Sequence, residues 1–202
     1  MEYFVEMTTH VPSGTPDATV DDIRAREAVR ARELAAEGRL LRLWRPPLEP
    51  GEWRTFGLFN ADDERRLDKD LASMPLHVWR TDEVTPLSEH PNDPHATRGG
   101  QAEEFLTMLT ITVPGGTAEQ TVEHLMAQEA IRAHELAQEG RLVRLWNPPN
   151  QPGVWRTLGV WSARDTGDLQ ATLESLPLYV WMTVEATPLT PHPNDPVTGA
   201  AS

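Results

Sequence analysis

The chain has 202 residues and an apolar fraction of 39%, enough for one packed domain or for two of the smaller globular size. Its formal charge of −13, with acids and arginines interspersed, repels phosphate backbones and argues against nucleic acid as a partner. Cysteine is absent, no apolar run approaches the ~20 residues of a membrane span, and no basic-then-apolar leader opens the chain. A soluble, cytoplasmic protein with no membrane partner is expected.

In chain order, Tyr3 to Val11 alternates through Val5, Met7 and Thr9 and predicts a strand, ended by Pro12 and Gly14. Thr15 or Asp17 then opens a helix that runs to Gly38, a residue suited to the left-handed position after a helix. Leu40 to Arg45 and Trp53 to Phe59 are predicted strands on either side of a loop carrying Pro46, Pro47, Pro50 and Gly51. Asp62 is the expected N-cap of a second helix, in which Leu67, Leu71 and Met74 recur at helical spacing. Val78 to Val84 is the predicted last strand.

The same order then repeats. Sliding the chain by 102 positions superposes Gly38-Arg39-Leu40 on Gly140-Arg141-Leu142, Trp53-Arg54-Thr55 on Trp155-Arg156-Thr157, and His90-Pro91-Asn92-Asp93-Pro94 on His192-Pro193-Asn194-Asp195-Pro196. Roughly half of the paired positions are identical without a gap. The expected division is a first repeat over 1–94, a short flexible linker over 95–103, a second repeat over 104–196 and a disordered tail over 197–202. Each repeat reads as βαββαβ, the ferredoxin-like α+β arrangement, with both helices on one face of an antiparallel sheet. The uncovered sheet faces predict that the two copies cover each other as an intramolecular pseudo-dimer. Val29 and Ile131, on the outward side of the first helix of each copy, leave room for further self-association.

Glu27 is the most informative single residue. At about 100° per residue, Val20, Ile23, Glu27, Ala31 and Leu34 share the helix stripe that should face the sheet, and Val122, Leu125, Glu129, Ala133 and Leu136 repeat it. A carboxylate on a core-facing stripe is costly unless it has a purpose or a partner. One reading makes Glu27 and Glu129 general bases with pKa values raised by desolvation. The other is a buried ion pair with Arg30 or Arg132 one turn on, or with Arg54 or Arg156 from a strand.

Arg54 and Arg156 are candidates to stabilise an enolate or a substrate carboxylate, but alternation allows only one of Trp53 and Arg54 to face the cavity. Trp44, Trp79, Trp146 and Trp181 are candidate walls of an apolar substrate pocket, or plain core. His10 and His77 occur only in the first copy, where Thr112 and Tyr179 are their counterparts, and are candidate auxiliary groups at the cavity mouth. One histidine per His-Pro-Asn-Asp-Pro tail is too few for a metal site, so no metal is expected and the tail should wrap onto the other lobe.

Phe4-Val5-Glu6-Met7-Thr8, Ala36-Glu37-Gly38 before Leu43-Trp44-Arg45, Met74-Pro75-Leu76 and His90-Pro91 together resemble the muconolactone isomerase family, and the second copy repeats the signature through Glu139-Gly140, Leu145-Trp146, Leu176-Pro177-Leu178 and His192-Pro193. That resemblance implies a dimeric α+β barrel, movement of a lactone double bond by proton transfer without cofactor or metal, and a catalytic role for the first-helix glutamate. Fusion and divergence open alternatives: a natural-product tailoring enzyme such as a polyketide-type cyclase for a larger hydrophobic substrate, or a non-catalytic ligand-binding or assembly module.

Overall fold

A computed structural model describes residues 1–101, 103–150 and 154–199. It holds two compact units, one made of residues 1–87 with 190–202 and the other of 88–189. Each unit therefore combines the body of one repeat with the tail of the other. The chain order is β1 (Glu2–Thr9), α1 (Asp17–Ala36), β2 (Leu40–Arg45), β3 (Arg54–Asn60), α2 (Glu64–Ala72) and β4 (Arg80–Glu89), then β5 (Glu103–Ile111), α3 (Glu119–Gln138), β6 (Leu142–Asn147), β7 (Trp155–Ala163), α4 (Thr166–Glu174), β8 (Met182–Pro191) and α5 (Pro196–Gly199). Two ferredoxin-like βαββαβ repeats with antiparallel strands are thus present, as the sequence predicts.

In the first unit, β1 lies between β3 and β4, and β2 pairs with β3 on one side and with Thr190 and Pro191 on the other. Strict alternation in β1 turns Tyr3, Val5, Met7 and Thr9 inward. Tyr3, Val5 and Met7 meet Ala31 and Leu34 of α1 and Leu67 and Leu71 of α2 in one core with Phe59 and Leu43. Gly38 adopts φ +70, and the Gly38 and Arg39 amides close α1 onto Ala35 and Leu34. Gly57 has no space for a side chain, since an added Cβ would stand 2.5 Å from the Phe59 ring.

The second unit repeats this design, with β5 between β7 and β8 and β6 paired to Ser88 and Glu89. Its core gathers Phe105, Leu109, Ala133, Leu136, Trp161, Leu169 and Leu173. Residues of the expected flexible linker are bonded into this unit: the Ala96 and Gly100 amides donate to the Val143 and Gly140 carbonyls, and that of Gln101 to Ser162 Oγ. In the expected disordered tail, Pro196–Gly199 forms the short helix α5, and residues 200–202 lie outside the described residues.

Two local expectations shift. The N-cap of α2 is Asp63, whose Oδ1 accepts from the Arg66 amide at 2.7 Å, rather than Asp62. Asp63→Ala should cost about 1 kcal/mol of stability, read as a lower midpoint of chemical unfolding; an unchanged midpoint would show the cap to be dispensable. The last strand begins at Arg80, because Pro75 opens a 3-10 turn over Pro75–Trp79, and the turn recurs over Pro177–Trp181. Among the described residues no helix is long and apolar enough to cross a membrane.

Candidate active site

A cavity of about 320 Å³ lies between the first helix and the sheet of the first unit, and one of about 400 Å³ in the same place in the second. Glu27 lines the first and Glu129 the second. The reason lies in the helix stripe. Ile23, Glu27, Ala31 and Leu34 are the buried residues of α1, so a glutamate one turn from the tightly packed end looks into the space that the core leaves open.

Glu27 Oε2 accepts from the Leu76 amide at 2.8 Å, and Oε1 lies 3.3 Å from Arg80 Nη1. Arg80, its side chain 2% exposed, is itself forked onto Asp82 and donates to the Leu71 carbonyl. The buried partner of Glu27 is therefore Arg80. Neither Arg30, which reaches Ser73 and Glu33, nor Arg54 fills that role. Burial pushes the Glu27 carboxyl above the ordinary glutamate value, and the Leu76 amide and Arg80 only partly oppose it.

Glu129 keeps the equivalent amide bond, from Leu178 at 2.9 Å, but has no arginine, since Met182 stands where Arg80 does. Arg132 turns instead to Ser175, Glu135 and Glu139. Burial again raises the carboxyl pKa, opposed by the Leu178 amide alone. A raised value in the folded state means that the folded protein holds this proton more tightly than the unfolded chain, so ionisation at higher pH costs stability. Glu129→Gln, which keeps an acceptor for Leu178, should raise the unfolding temperature at pH 7 and lose that gain as the pH falls below the ordinary glutamate value near 4.5. No gain at pH 7 would show that the carboxylate is already well solvated.

The rest of the first cavity holds three arginines and Asp21 and is partly supplied by the exchanged tail. Arg24, Arg45 and Arg80 line it with Trp53, Thr55, Met74 and Leu76, and His192, Pro193 and Asn194 complete the wall. Arg24 stacks over Trp53 at 5.4 Å and reaches Asp21 only at 4.0 Å, and Arg45 has no carboxylate partner among the described residues. Burial and the charges of Arg45 and Arg24 lower the His192 pKa to about 4, so this imidazole is neutral near pH 7. Its Nδ1 accepts from the Asn194 amide at 3.1 Å, which leaves the ring proton on Nε2. A neutral hydrogen-bond donor, three arginines, the Asp21 carboxylate and the desolvated Glu27 carboxylate thus share one cavity.

Of the nine binding candidates in the sequence, Arg156 is among the wall residues, beside Trp155 and Thr157. Arg54 instead pairs with Glu6 and Glu52, each at 3.2 Å, and it is Trp53 that faces the first cavity. Trp44 and Trp146 are buried outside the cavity walls, stacked with Arg42 and Arg144 at 4.6 and 4.5 Å. Trp79 and Trp181 end the 3-10 turns, where their carbonyls accept from the His10 and Thr112 amides. Neither tryptophan nor His10 is a wall residue. His77 lies outside the wall, 3.7 Å from Asp82, and Tyr179 accepts from Gln170 at 2.6 Å. Wall residues outside the nine binding candidates include Arg24, Arg45, Arg80 and the tail residues His192 and Asn194, with His90 and Asn92 in the second cavity. The repeated His-Pro-Asn-Asp-Pro segment was the visible signal of the tail residues. Among the described residues, no cluster of three or more histidines and acids has the arrangement of a metal site.

The tails are held by buried carboxylates. Asp195 accepts from Arg42 Nε and Nη2 at 3.2 Å and from the Leu43 amide at 3.0 Å, and Asp93 does the same for Arg144 and Leu145.

Comparison with known proteins agrees with this layout. A muconolactone delta-isomerase of Cupriavidus pinatubonensis is 35% identical over 92 residues, 46% of this chain and 97% of that enzyme, and a muconolactone delta-isomerase of Acinetobacter lwoffii is 30% identical over 46% and 93%. Across both halves together, a mutant chlorite dismutase from Candidatus Nitrospira defluvii superposes over 94% of the chain and 91% of its own, with a TM-score of 0.61 at 11% identity. That likeness shows the fold alone. The family model for muconolactone delta-isomerase matches twice, over residues 1–93 and 104–195, so the chain belongs to that family as a tandem duplication.

Proposed function

We propose that the first cavity is a cofactor-independent isomerase site that moves the carbon–carbon double bond of an unsaturated lactone or enone carrying a carboxylate. The observation that carries this reading is Glu27, a desolvated carboxylate facing a cavity lined by Arg24, Arg45 and Arg80. Glu27 removes a proton from one end of the conjugated three-carbon system, and the C–H electron pair becomes the new double bond. The old double bond and the carbonyl take up the charge as a dienolate. The same carboxyl then returns the proton at the other end, so atoms and electrons balance without an oxidant or a reductant.

Arg80 holds the Glu27 carboxylate in place, the neutral His192 supplies a hydrogen-bond donor for the enolate oxygen, and Arg45 supplies a counter-charge for the substrate carboxylate. The names of the relatives, muconolactone delta-isomerases, support an unsaturated lactone as the substrate class. A purely structural role is disfavoured because both cavities are open at their glutamates.

The test is incubation with muconolactone in deuterated water. Double-bond migration followed by ultraviolet absorbance, with deuterium appearing at the new C–H position or with direct proton return, supports the proposal. Absence of migration at substrate saturation overturns it for this lactone.

A further inference from the structure

The second cavity departs from the first by a coordinated set of replacements. All three arginines of the first wall have lost their charge at the aligned wall positions: Arg24 becomes Met126, Arg45 becomes Asn147 and Arg80 becomes Met182. The acid that forks Arg80 has gone with it, Asp82 being replaced by Val184, so an entire buried ion pair has become an apolar one. Met182 and Val184 pack against the core of their unit. Asn147 is occupied, its Nδ2 donating to the Glu89 carbonyl at 2.9 Å. The remaining cation on this wall is Arg156, which strand alternation turns to the face opposite Trp155 and Thr157. Yet the cavity is not filled. It is the larger of the two, and it keeps Glu129 with its amide donor from Leu178.

A cavity that goes from three wall arginines to one, Arg156, and keeps its volume has changed the charge of what it favours. A carboxylate there would find only Arg156, set by alternation toward the opposite strand face, as a counter-charge, whereas a neutral carbonyl compound gains from the apolar wall. We propose that the second cavity is a separate site for a neutral, largely apolar carbonyl compound, an unsaturated ketone, ester or lactone without a free carboxylate, so that the two halves of one chain take ligands of different charge. This rests on the proposed isomerase reading only in taking the ligand to be a carbonyl compound. The binding test below involves no turnover, so its outcome is separable from failure of the isomerase assay.

The experiment is calorimetric titration of the full chain with two probes that cannot isomerise, a saturated five-membered lactone with an acetic acid side chain and the benzyl ester of that acid. The variants are Arg45→Asn and Met182→Arg, each importing the residue that the other repeat carries at the aligned position. The ester should bind the wild-type chain, weaken roughly tenfold or more in Met182→Arg, and stay within about twofold in Arg45→Asn. The acid should show the opposite, a loss in Arg45→Asn and a gain of binding in Met182→Arg.

Should Met182→Arg fail to fold, Met126→Arg replaces it, at a wall position that is 48% exposed. The proposal is overturned if the ester does not bind, if its affinity follows Arg45→Asn instead, or if the acid binds the second cavity of the wild-type chain as tightly as the first.

Discussion

Asp195→Ala should destabilise the protein by about 3–5 kcal/mol, the cost typical of removing one member of a buried ion pair. Asp195 is 2% exposed and its carboxylate meets Arg42, whose side chain is 7% exposed. Its Oδ1 also accepts from the Leu43 amide, so the substitution takes the acceptor from a buried backbone donor as well. The change should be read as a fall in the midpoint of chemical unfolding. Because Asp195 anchors the segment that carries His192 and Asn194 to β2, loss of ligand binding in the first cavity should accompany it even at temperatures where the protein stays folded. Asp93→Ala is the matching experiment for the second cavity. A shift under 1 kcal/mol in both variants would mean that the tails are held by their strand pairing alone.

Glu27→Gln should lower kcat on a carboxylate-bearing unsaturated lactone by about 10²–10⁴-fold, the usual contribution of a positioned acid–base group, with a smaller change in KM. Glutamine is close in size to glutamate and retains an acceptor for the Leu76 amide. What it loses is the capacity to carry the proton. In the unsubstituted protein the rate should fall as the pH drops through the raised Glu27 pKa, because a protonated carboxyl is not a base. That acid limb should therefore lie above the ordinary glutamate value. Glu129→Gln should leave turnover of this anionic substrate nearly unchanged. Equal losses from both variants would assign the reaction to both lobes, and no loss from either would remove the glutamates from the mechanism.

Much of this architecture was readable because its causes are local. Alternation in Tyr3, Val5, Met7 and Thr9 marks a half-buried strand, and Gly38 marks a helix end, since each reflects the backbone of a few neighbouring residues. Glu27 was readable for the same reason, as a charge at a position where the helix period calls for an apolar side chain. Arg80 was not. It reaches Glu27 because the Pro75 turn delays β4 by two residues, a shift that a hydrophobic pattern over Val78 and Trp79 conceals. The tryptophans misled through alternation: Leu43 and Arg45 face the cavity, so Trp44 between them cannot. His192 belongs to a wall assembled from residues far apart in the chain. Periodicity carries no record of which repeat body a tail will join.

The exchanged tails bear on how the two halves can change over time. A substitution in the last residues of one repeat is felt in the cavity of the other, so neither lobe owns all of its own wall. A tail altered to suit one pocket must still tie down on the β-strand of its neighbour's body, which binds the two repeats to a common requirement. The walls contributed by α1 and β4, or by α3 and β8, carry no such shared obligation. That difference accounts for a chain in which His-Pro-Asn-Asp-Pro is spelled identically twice while Arg24 and Arg80 have given way to Met126 and Met182. Fusion left the lobes free to specialise in their pockets and mutually dependent at their ends.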